Sequence, residues 1–356
     1  MKPIVPVVFA TDDIFAPYCG ATIASLLANR DPERSYAIYV FYDELSPEHI
    51  EKLSGMAAQN VSVECINITP YVDHDLLYTR RRLTLATYYR FFVTAVLPQY
   101  DKILYLDSDI AILGDVGELY DFDIGDHLLG GVVIYRGSDT EQKLKEEYLR
   151  ELMDVSPDRY VNAGVLIMNL RAFREQGIEK KCLDYLADHR ELRWLDQDVL
   201  NAVCKGQIFF LPECWNMSQF YYEDDYQSGA DVSGVKLIHY ITNIKPWLFD
   251  CRCAHLPFYR YAALCPYADE LMAMFLENNK NRTTSAERAA RAACKAEKEA
   301  AQETKKQAKL PLKEMRQQML QLSLRGRIGP KFLLRCLGKW IKGRLSSSNQ
   351  KNSAQA

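Results

Sequence analysis

KILYLDSDIAILGD, residues 102 to 115, places two aspartates between two apolar runs. The first run predicts a buried β-strand, and Asp107 and Asp109 stand where that strand ends. A carboxylate that leaves water loses its hydration, so a buried one persists only when it is paired or bound to a cation. The stretch therefore predicts a strand whose carboxyl end brings both side chains against a positive charge.

Strands and helices alternate before this stretch. Strands are predicted in PIVPVVFATDD, SYAIYVFYDEL and VSVECINI, and helices in GATIASLLAN and in SPEHIEKLSGMAAQN, for which Ser46 is the predicted N-cap. This alternation predicts an α/β fold with a mostly parallel central sheet flanked by helices. Ligands of such sheets bind at the carboxyl ends of the strands. Because Asp12 and Asp13 end the first strand, we expect both acidic pairs at one edge of the sheet.

The same kind of pattern continues along the chain. LATYYRFFVTAVLP (85–98) predicts a helix, KILYLDSD a strand, and YVNAGVLIMNL (160–170) another strand. LDQDVLNAVC (195–204) predicts a helix with acids in its first turn. VKLIHYITNIKPW (235–247) predicts a strand that runs into a loop. The α/β pattern therefore extends to about residue 250.

The bulk composition is that of a globular protein. The chain has 356 residues, of which 48% are apolar and 26% are charged, and this length is enough for a large core. Its ten cysteines form no framework of paired spacings, which predicts a reducing, cytoplasmic location. Cys251, Cys253 and His255 are a weak zinc candidate, because the cysteines stand too close together for the usual fingers. The sequence contains no run of about 18 apolar residues that would predict a membrane span.

Charge is distributed unequally along the chain. Residues 280–345 contain 18 lysines and arginines but only 5 glutamates, whereas the rest of the chain is acidic. We therefore expect a folded α/β domain at 1–280, a basic helical extension at 281–345 and a disordered tail at 346–356. Residues 328–345 place apolar side chains opposite basic ones on a helical wheel, which predicts adsorption to an anionic membrane surface; packing on the folded domain is the alternative. No nucleic-acid-binding module accompanies the charge, so nucleic acid is not an expected partner.

The two aspartates of the opening stretch suggest a metal site. Two carboxylates separated by one residue at a strand end can hold a hard divalent cation that keeps further sites for phosphate oxygens. Taken alone, such a pair is more often two surface acids or an N-cap for the residues after Asp109. Its strand context and the segments that accompany it favour the metal.

Six blocks of the sequence together resemble the retaining glycosyltransferases of family 8, whose bacterial members build lipopolysaccharide outer cores and related glycans. The blocks follow the family's order: VFATDD (8–13), LATYYRFFVTAVLP (85–98), ILYLDSDIAILGD (103–115), VNAGVLIMNL (161–170), LDQDVLN (195–201) and HYITNIKPW (239–247). The resemblance implies a GT-A catalytic domain at 1–280, a UDP-glucose or UDP-galactose donor, and a Mn²⁺ ion, with Mg²⁺ as the alternative ion.

The resemblance also assigns roles to single residues. Asp107, Asp109 and His239 would bind the metal, since an imidazole ligand suits manganese better than magnesium. Lys245 would contact the donor diphosphate as a point charge and stabilise the UDP leaving group together with the metal. The other donor-binding residues that the resemblance implies are Ala10, Thr11, Asp12, Phe15, Arg90, Ser108, Asn162, Ala163 and Gly164.

Without the resemblance, these residue types have ordinary structural roles. Phe15 would be a core residue, His239 a core or surface histidine, and Arg90 a solvated charge on a helix. Gly164 requires no function beyond a close approach of the backbone. Asp196 would be a helix N-cap, a position that aspartate favours.

The LDQD block carries the implied chemistry. In the family, the counterpart of Asp196 contacts hydroxyls of the donor sugar, and the counterpart of Gln197 lies near the anomeric carbon. Retention of configuration normally uses a carboxylate nucleophile, and an amide is a poor one. We therefore favour front-face substitution, in which the departing phosphate helps to deprotonate the acceptor hydroxyl. Asp198 stays open as an alternative nucleophile.

Two regions depart from the family pattern. Thr242 replaces a glycine in the loop H-Y-x-G-x-x-K-P-W, where a side chain would either crowd the diphosphate or donate a hydrogen bond to it. Ile134 and Tyr135 stand where some galactosyltransferases have an aspartate that contacts the acceptor. The identity of the acceptor therefore cannot be carried over from the family.

The sequence as a whole predicts a metal-dependent retaining hexosyltransferase. It would move glucose or galactose from a UDP-sugar to a glycan or glycolipid, in lipopolysaccharide or cell-surface polysaccharide synthesis, on the inner face of the cell membrane. One alternative is a non-catalytic nucleotide-sugar-binding protein. The other is a sugar nucleotidyltransferase, which should open with a glycine-rich phosphate loop that this chain lacks. The sequence specifies neither the donor hexose nor the acceptor, the linkage or the oligomeric state.

Overall fold

The computed structural model describes residues 2–79, 84–133, 140–241, 244–248 and 252–277. The chain divides into two units, Met1–Lys280 and Asn281–Ala356, and the described residues belong to the first unit. The predicted helical extension, with its membrane-binding part at 328–345, and the predicted disordered tail lie outside the described residues. Among the helices of the described ranges, none is long and apolar enough to cross a membrane.

The strands of the described residues form two sheets. They are β1 (Val5–Ala10), β2 (Tyr36–Tyr42), β3 (Val61–Asn67), β4 (Lys102–Leu106), β5 (Ile110–Ile112), β6 (Leu129–Val133), β7 (Val161–Asn169), β8 (Ile208–Phe210), β9 (Met217–Ser218) and β10 (Leu237–His239). The central sheet has seven strands in the order β3-β2-β1-β4-β7-β6-β8, and β5-β10-β9 form a second, three-stranded sheet.

Helices cover both faces of the central sheet. The α-helices of the described residues are α1 (Ala16–Asn29), α2 (Pro47–Ser54), α3 (Val93–Val96), α4 (Val116–Tyr120), α5 (Thr140–Met153), α6 (Leu170–Gln176), α7 (Ile178–Asp188), α8 (Leu195–Val203), α9 (Gln219–Ser228) and α10 (Leu256–Ala262). Ser46 is the N-cap of α2, as predicted, and its side chain accepts a hydrogen bond from the backbone N–H of His49.

The predicted α/β fold with a mostly parallel sheet is confirmed. Strands β1 to β4 run parallel to one another, and β8 runs parallel to β6. Among the described strands of this sheet, only β7 runs in the opposite direction. It pairs antiparallel with both β4 and β6. This reversal brings the amino-terminal end of β7 to the edge where β1 and β4 end.

The first strand is apolar along its whole length because both faces of the sheet are covered. Val7 and Phe9 belong to the core that includes α1 and α10. Val8 and Ala10 belong to the core on the opposite face, which includes α6, α7 and α8. Successive side chains of a strand point to opposite faces, so a strand buried on both sides has no polar alternation.

The stretch from 102 to 115 changes sheets in its middle. The predicted strand KILYLDSD ends at Leu106, and the apolar residues that follow form β5 in the second sheet. Residues 107 to 109 are therefore a corner between two buried strands. This corner explains why apolar runs stand on both sides of the two aspartates.

The predicted α-helix at 85–98 is only partly correct. Residues Leu85–Phe92 form a 3₁₀-helix, and only Val93–Val96 are α-helical. Tyr88 and the four residues after it are all buried. Packing on every side of this aromatic run, rather than helix propensity, therefore decides its backbone geometry.

A polar stripe on α1 completes the edge of β5. The Ser25 hydroxyl accepts a hydrogen bond of 3.0 Å from the backbone N–H of Ile112, and the Asn29 amide donates to the Ile112 carbonyl at 2.9 Å. The Thr22 hydroxyl lies 2.9 Å from the carbonyls of Ser108 and Ile110. Buried backbone groups need such partners, and the helix supplies them where no further strand does so in the described part of the chain.

Replacement of Ser25 by alanine should test this stripe. Ser25→Ala leaves the buried N–H of Ile112 without its acceptor, so we expect the free energy of unfolding to fall by about 1–3 kcal/mol. Urea denaturation measures the change. Ser228→Ala is the matched control, because the Ser228 hydroxyl is exposed and donates only to the carbonyl of Asp225. Equal stability of the two variants would contradict the role of Ser25.

Candidate active site

The two acidic pairs lie at one edge of the central sheet, as predicted. Strands β1 and β4 are parallel neighbours, with Val8 opposite Tyr105, so their carboxyl ends meet. The Ser108 hydroxyl joins these ends by donating to the carbonyl of Ala10 at 2.7 Å. Ser108 is therefore a buried tie between the two strands.

Asp107, Asp109 and His239 converge at this edge. Strand β10 pairs antiparallel with β5, with His239 opposite Ile110, and this pairing brings the imidazole to the Asp-Ser-Asp corner. His239 Nε2 lies 3.2 Å from Asp109 Oδ1 and 3.7 Å from Asp107 Oδ2. One ligand atom from each residue lies within 4.8 Å of the others. Two carboxylates and one imidazole are a suitable donor set for a divalent transition metal.

Gly164 leaves the space that this cluster needs. A Cβ atom at Gly164 would lie 2.3 Å from both Asp107 Oδ2 and His239 Cε1. Its carbonyl accepts a hydrogen bond of 2.8 Å from the backbone N–H of Asp107. The close approach of this backbone therefore has a specific reason, since any side chain here would displace two of the three potential ligands.

Lys245 neutralises part of the acidic charge. Its ammonium group forms an ion pair with Asp109 and donates to the carbonyl of Tyr240 at 2.5 Å. Burial alone would raise the pKa of Asp109, but the Lys245 ammonium and the hydrogen-bonding imidazole of His239 outweigh this effect and hold the pKa of that carboxyl well below its usual range. Asp109 is therefore ionised at neutral pH and able to act as a ligand.

Arg90 is buried, and its interpretation as a solvated charge is wrong. Only 3% of the residue is exposed. Its guanidinium donates to Asp107 Oδ1 at 2.7 Å, pairs with Asp196 Oδ2 at 3.0 Å and also contacts the Ala163 carbonyl. Burial lowers the pKa of Arg90, but the two carboxylates outweigh this and raise it above the usual value, so the group stays charged. The arginine stacks over the Tyr105 ring at 4.2 Å.

Asp196 faces this arginine from α8. It is not the helix N-cap, as the sequence pattern suggested, because α8 begins after Trp194. Its carboxylate accepts a hydrogen bond from the Thr87 hydroxyl. Burial raises the pKa of Asp196 to about 6, although Arg90 opposes the shift. The preceding Leu195 has a φ of 42°, a left-handed conformation that costs about 1–3 kcal/mol and occurs where the surrounding packing enforces it.

Gln197 lies beside the start of β7. Its Oε1 accepts hydrogen bonds from the Asn162 amide at 2.9 Å and from the backbone N–H of Ala163 at 3.1 Å. Its Nε2 donates to the Tyr160 hydroxyl at 3.0 Å. The structure therefore brings Gln197 together with Asn162 and Ala163, two of the residues that the resemblance implies for donor binding.

Asp198 has a different environment. Its two carboxylate oxygens accept from the hydroxyls of Tyr148 and Tyr160, at 2.7 and 2.5 Å. They also accept from the backbone N–H groups of Arg193 and Trp194, at 3.0 and 2.8 Å. Burial raises the pKa of Asp198 despite these four donors. The carboxylate thus ties the first turn of α8 to its surroundings.

Residues 10–12 and Phe15, which the resemblance implies for donor binding, lie at and just beyond the end of β1. The backbone N–H of Thr11 donates to the Phe41 carbonyl at 3.0 Å, and the Asp12 side chain accepts from the backbone N–H of Phe15 at 2.9 Å. The Phe15 ring makes edge contacts with Tyr18 and Trp247, at centroid distances of 5.6 and 6.4 Å. Phe15 is half-buried and thus partly accessible from solvent.

Asn216 belongs to this site and was not predicted from the sequence. Its Nδ2 donates to Asn162 Oδ1, and its Oδ1 accepts from His239 Nδ1, both at 2.9 Å. The only sequence signal is a single amide in the apolar run CWNM. The predictions for Thr242, for Ile134 and Tyr135, and for Cys251 in the zinc candidate lie outside the described residues.

Comparisons with known proteins show which proteins this chain resembles in sequence and fold. General stress protein A of Bacillus subtilis is 26% identical over 261 residues, which cover 68% of this chain and 87% of that protein. The lipopolysaccharide 1,3-galactosyltransferase of Salmonella typhimurium is 29% identical over 252 residues, or 68% of this chain and 72% of that protein. A solved structure of the galactosyltransferase LgtC, in complex with donor and acceptor sugar analogues, has the same fold; its TM-score is 0.62 at 24% identity, over 74% of this chain and 96% of that chain.

A family-level match covers most of the described domain. The sequence model of the family described as glycosyl transferase family 8 matches residues 6–251, which include the strand ends, the Asp-Ser-Asp corner, α8 and the loop after His239. The six blocks that carry the resemblance lie within this range, and the match spans more than half of the chain. The chain therefore belongs to glycosyl transferase family 8.

Proposed function

We propose that this chain transfers glucose or galactose from a UDP-sugar to a glycan or glycolipid acceptor, with retention of anomeric configuration. Its place would be lipopolysaccharide or cell-surface polysaccharide synthesis. The names of two relatives support glucose or galactose as the transferred sugar. One is the lipopolysaccharide 1,3-galactosyltransferase of Salmonella typhimurium. The other is a lipopolysaccharide 1,2-glucosyltransferase of Escherichia coli, which is 27% identical over 249 residues. The observation that carries the proposal is the buried Arg90, which bridges Asp107 of the Asp-Ser-Asp corner and Asp196 of the LDQD block and so joins these two segments in one site.

Asp107, Asp109 and His239 are the proposed ligands of a divalent metal. We favour Mn²⁺ over Mg²⁺ because one ligand is an imidazole nitrogen. When bound, such an ion would supply positive charge to the donor diphosphate. Lys245 lies against Asp109 on the same side and would add its own charge to the UDP leaving group. Together with Arg90, these charges would supply the compensation that the opening stretch of the sequence requires.

The donor would lie along the edge formed by β1, β4 and β7. Ala10, Thr11, Asp12 and Phe15 would bind the nucleoside, with Phe15 against the base. Arg90, Asn162, Ala163, Gly164 and Asp196 would line the hexose, and Ser108 would hold the strand ends together beneath the diphosphate. Asp196 is mostly ionised at neutral pH with a pKa of about 6, so it can accept hydrogen bonds from sugar hydroxyls.

Front-face substitution remains the preferred mechanism. Asp198 is a poor nucleophile because its two oxygens already accept from four donors. Gln197 would lie near the anomeric carbon, where its amide dipole would stabilise the positive charge that develops there. The bond from that carbon to the phosphate oxygen breaks, the bond to the acceptor oxygen forms on the same face, and the acceptor proton moves to the departing phosphate.

We propose that the residues beyond 280 place the enzyme at a membrane surface. Residues 1–280 would form the catalytic domain, and the basic residues at 281–345 would extend from it. Their segment at 328–345 would contact anionic lipid on the cytoplasmic face of the membrane, where it would meet a lipid-linked acceptor, and 346–356 would be a disordered tail. The basic charge and the helical pattern of the sequence support the assignments beyond residue 280.

A panel of UDP-sugars tests the function directly. Calorimetry with Mn²⁺ should detect binding of one UDP-hexose, slow release of UDP should follow, and a chelator should abolish both. Asp109→Asn should abolish the metal-dependent part, whereas Asp101→Asn should not, because Asp101 pairs with Arg174 at the surface. Binding without UDP release or transfer would support the non-catalytic alternative, and failure of every UDP-sugar to bind would overturn the proposal.

The glycine at the metal cluster offers a second test. Gly164→Ala introduces a Cβ where two potential ligands already lie, so we expect Mn²⁺ affinity to fall by about 10- to 100-fold. Isothermal titration with Mn²⁺ alone measures the change. Gly234→Ala is the matched control, since no atom lies within 4 Å of its added Cβ. Equal affinity in both variants would argue against a metal at this cluster.

The choice of nucleophile is tested at Gln197. We expect Gln197→Ala to lower kcat by about 10²-fold, because it removes one stabilising group from the reacting centre. Intact-mass spectrometry of the variant incubated with donor should show no covalent hexosyl adduct. An adduct mapped to Asp198 would instead establish a double displacement.

A further inference from the structure

Three side-chain amides link the proposed sugar site to the proposed metal site. Gln197 Oε1 accepts from Asn162 Nδ2, Asn162 Oδ1 accepts from Asn216 Nδ2, and Asn216 Oδ1 accepts from His239 Nδ1. Each of these three distances is 2.9 Å. All four side chains come from different elements, namely α8, β7, the turn before β9, and β10. They form one continuous relay from α8 to the metal cluster.

The assignment of donor and acceptor atoms along this relay is fixed at its α8 end. The backbone N–H of Ala163 donates to Gln197 at 3.1 Å, and the backbone N–H of Gly164 donates to Asn162 at 3.0 Å. A backbone N–H can only donate, so the side-chain atoms that face these two groups must be the amide oxygens. The orientations of Gln197 and Asn162 are therefore determined by the backbone of β7.

This fixed assignment then determines the tautomer of His239. Because Asn162 presents an oxygen, the atom of Asn216 that faces it must be the amide nitrogen. The oxygen of Asn216 consequently faces His239 Nδ1, which must carry a proton to donate. When the imidazole is neutral, its Nε2 is thus unprotonated and faces Asp107 and Asp109, which is the form that a metal ligand requires.

The burial of Asn216 and His239 strengthens these hydrogen bonds. Asn216 is 8% exposed and His239 is 3% exposed, so water competes little for their polar atoms. Strand β9 runs parallel to β10, with Met217 opposite Ile238, and this pairing holds Asn216 beside His239. In the described residues, the contact to Asn216 is the only hydrogen bond that His239 Nδ1 makes.

We infer that Asn216 is a positioning residue that holds His239 in the Nδ1-protonated tautomer, so that Nε2 binds the metal, and that its amide N–H also orients the amides of the sugar site. The inference rests on the proposed function, since it takes the Asp107, Asp109 and His239 cluster to be a metal site. It gives Asn216 two separable roles. The oxygen serves the metal, and the N–H serves Asn162 and, through it, Gln197.

Two substitutions at Asn216 separate these roles. Asn216→Leu removes both the oxygen and the N–H, and we expect Mn²⁺ affinity to fall by about 10- to 100-fold. Asn216→Asp keeps an oxygen for His239 Nδ1 but opposes Asn162 Oδ1 with a second oxygen. We therefore expect its Mn²⁺ affinity to be retained, while the gain in affinity from UDP to the UDP-hexose is lost.

Electron paramagnetic resonance of free Mn²⁺ measures the metal affinity without turnover or donor. Asn29→Leu is the matched control, because the Asn29 amide at the end of α1 donates to the carbonyls of Ser25 and Ile112 and to the Tyr261 hydroxyl, none of which is a ligand of the cluster. It should bind Mn²⁺ as the wild type does. If Asn29→Leu and Asn216→Leu lower the Mn²⁺ affinity equally, the effect is general destabilisation and the inference is overturned. Unchanged Mn²⁺ affinity in Asn216→Leu would also overturn the inference. Absence of Mn²⁺ binding in the wild type would instead overturn the metal of the proposed function.

The tautomer can also be observed in the wild-type protein, which removes any dependence on the folding of a variant. Long-range ¹H–¹⁵N spectra of histidine-labelled protein distinguish Nδ1–H from Nε2–H at a pH where the imidazole is neutral. The His239 signals are assigned by their loss in His239→Gln. An Nδ1–H signal for His239 is the expected result, and an Nε2–H signal would overturn the inference.

Discussion

The partial burial of the Asp107 and Asp109 carboxylates is the constraint on which the rest of the site depends. Two carboxylates at a corner between buried strands require positive charge nearby. Arg90 provides it for Asp107 and Lys245 for Asp109, and both bases are themselves held by neighbouring carbonyls. The acids, the bases and the histidine are therefore mutually dependent, which explains why residues from distant parts of the chain must fold against one short turn.

Much of the fold follows from local pattern, and its exceptions have physical causes. Alternating strand and helix signals predict the α/β class, because each apolar run has a length and periodicity of its own. The reversed direction of β7 has no such signal, since a strand buried on both faces is apolar whichever way it runs. The change of sheet at residues 107 to 109 cannot be predicted from the sequence for a similar reason. Whether two apolar runs share a sheet depends on partners elsewhere, here α1 and β10.

The residues of the site also differ in how far the sequence alone could indicate them. Asp107 and Asp109 could be singled out from chemistry alone, because charge inside an apolar run is costly. Arg90 and His239 could not, since an arginine after aromatic residues or a histidine in a strand has many ordinary structural roles; the family resemblance singled them out. Asn216 was missed by both approaches. A neutral amide in an apolar run raises no electrostatic conflict in the sequence, and its importance arises only from partners on β7 and β10.

The polar stripe on α1 has a consequence for the behaviour of the protein at high concentration. An unprotected edge strand is a template on which another chain can add a strand, and natural proteins block such edges. Here the hydroxyl and amide groups of Thr22, Ser25 and Asn29 occupy hydrogen-bonding positions along β5 that an incoming strand would use. The helix that follows the first strand thus acts as a guard against intermolecular β-pairing, and it protects the strand that begins at the Asp-Ser-Asp corner.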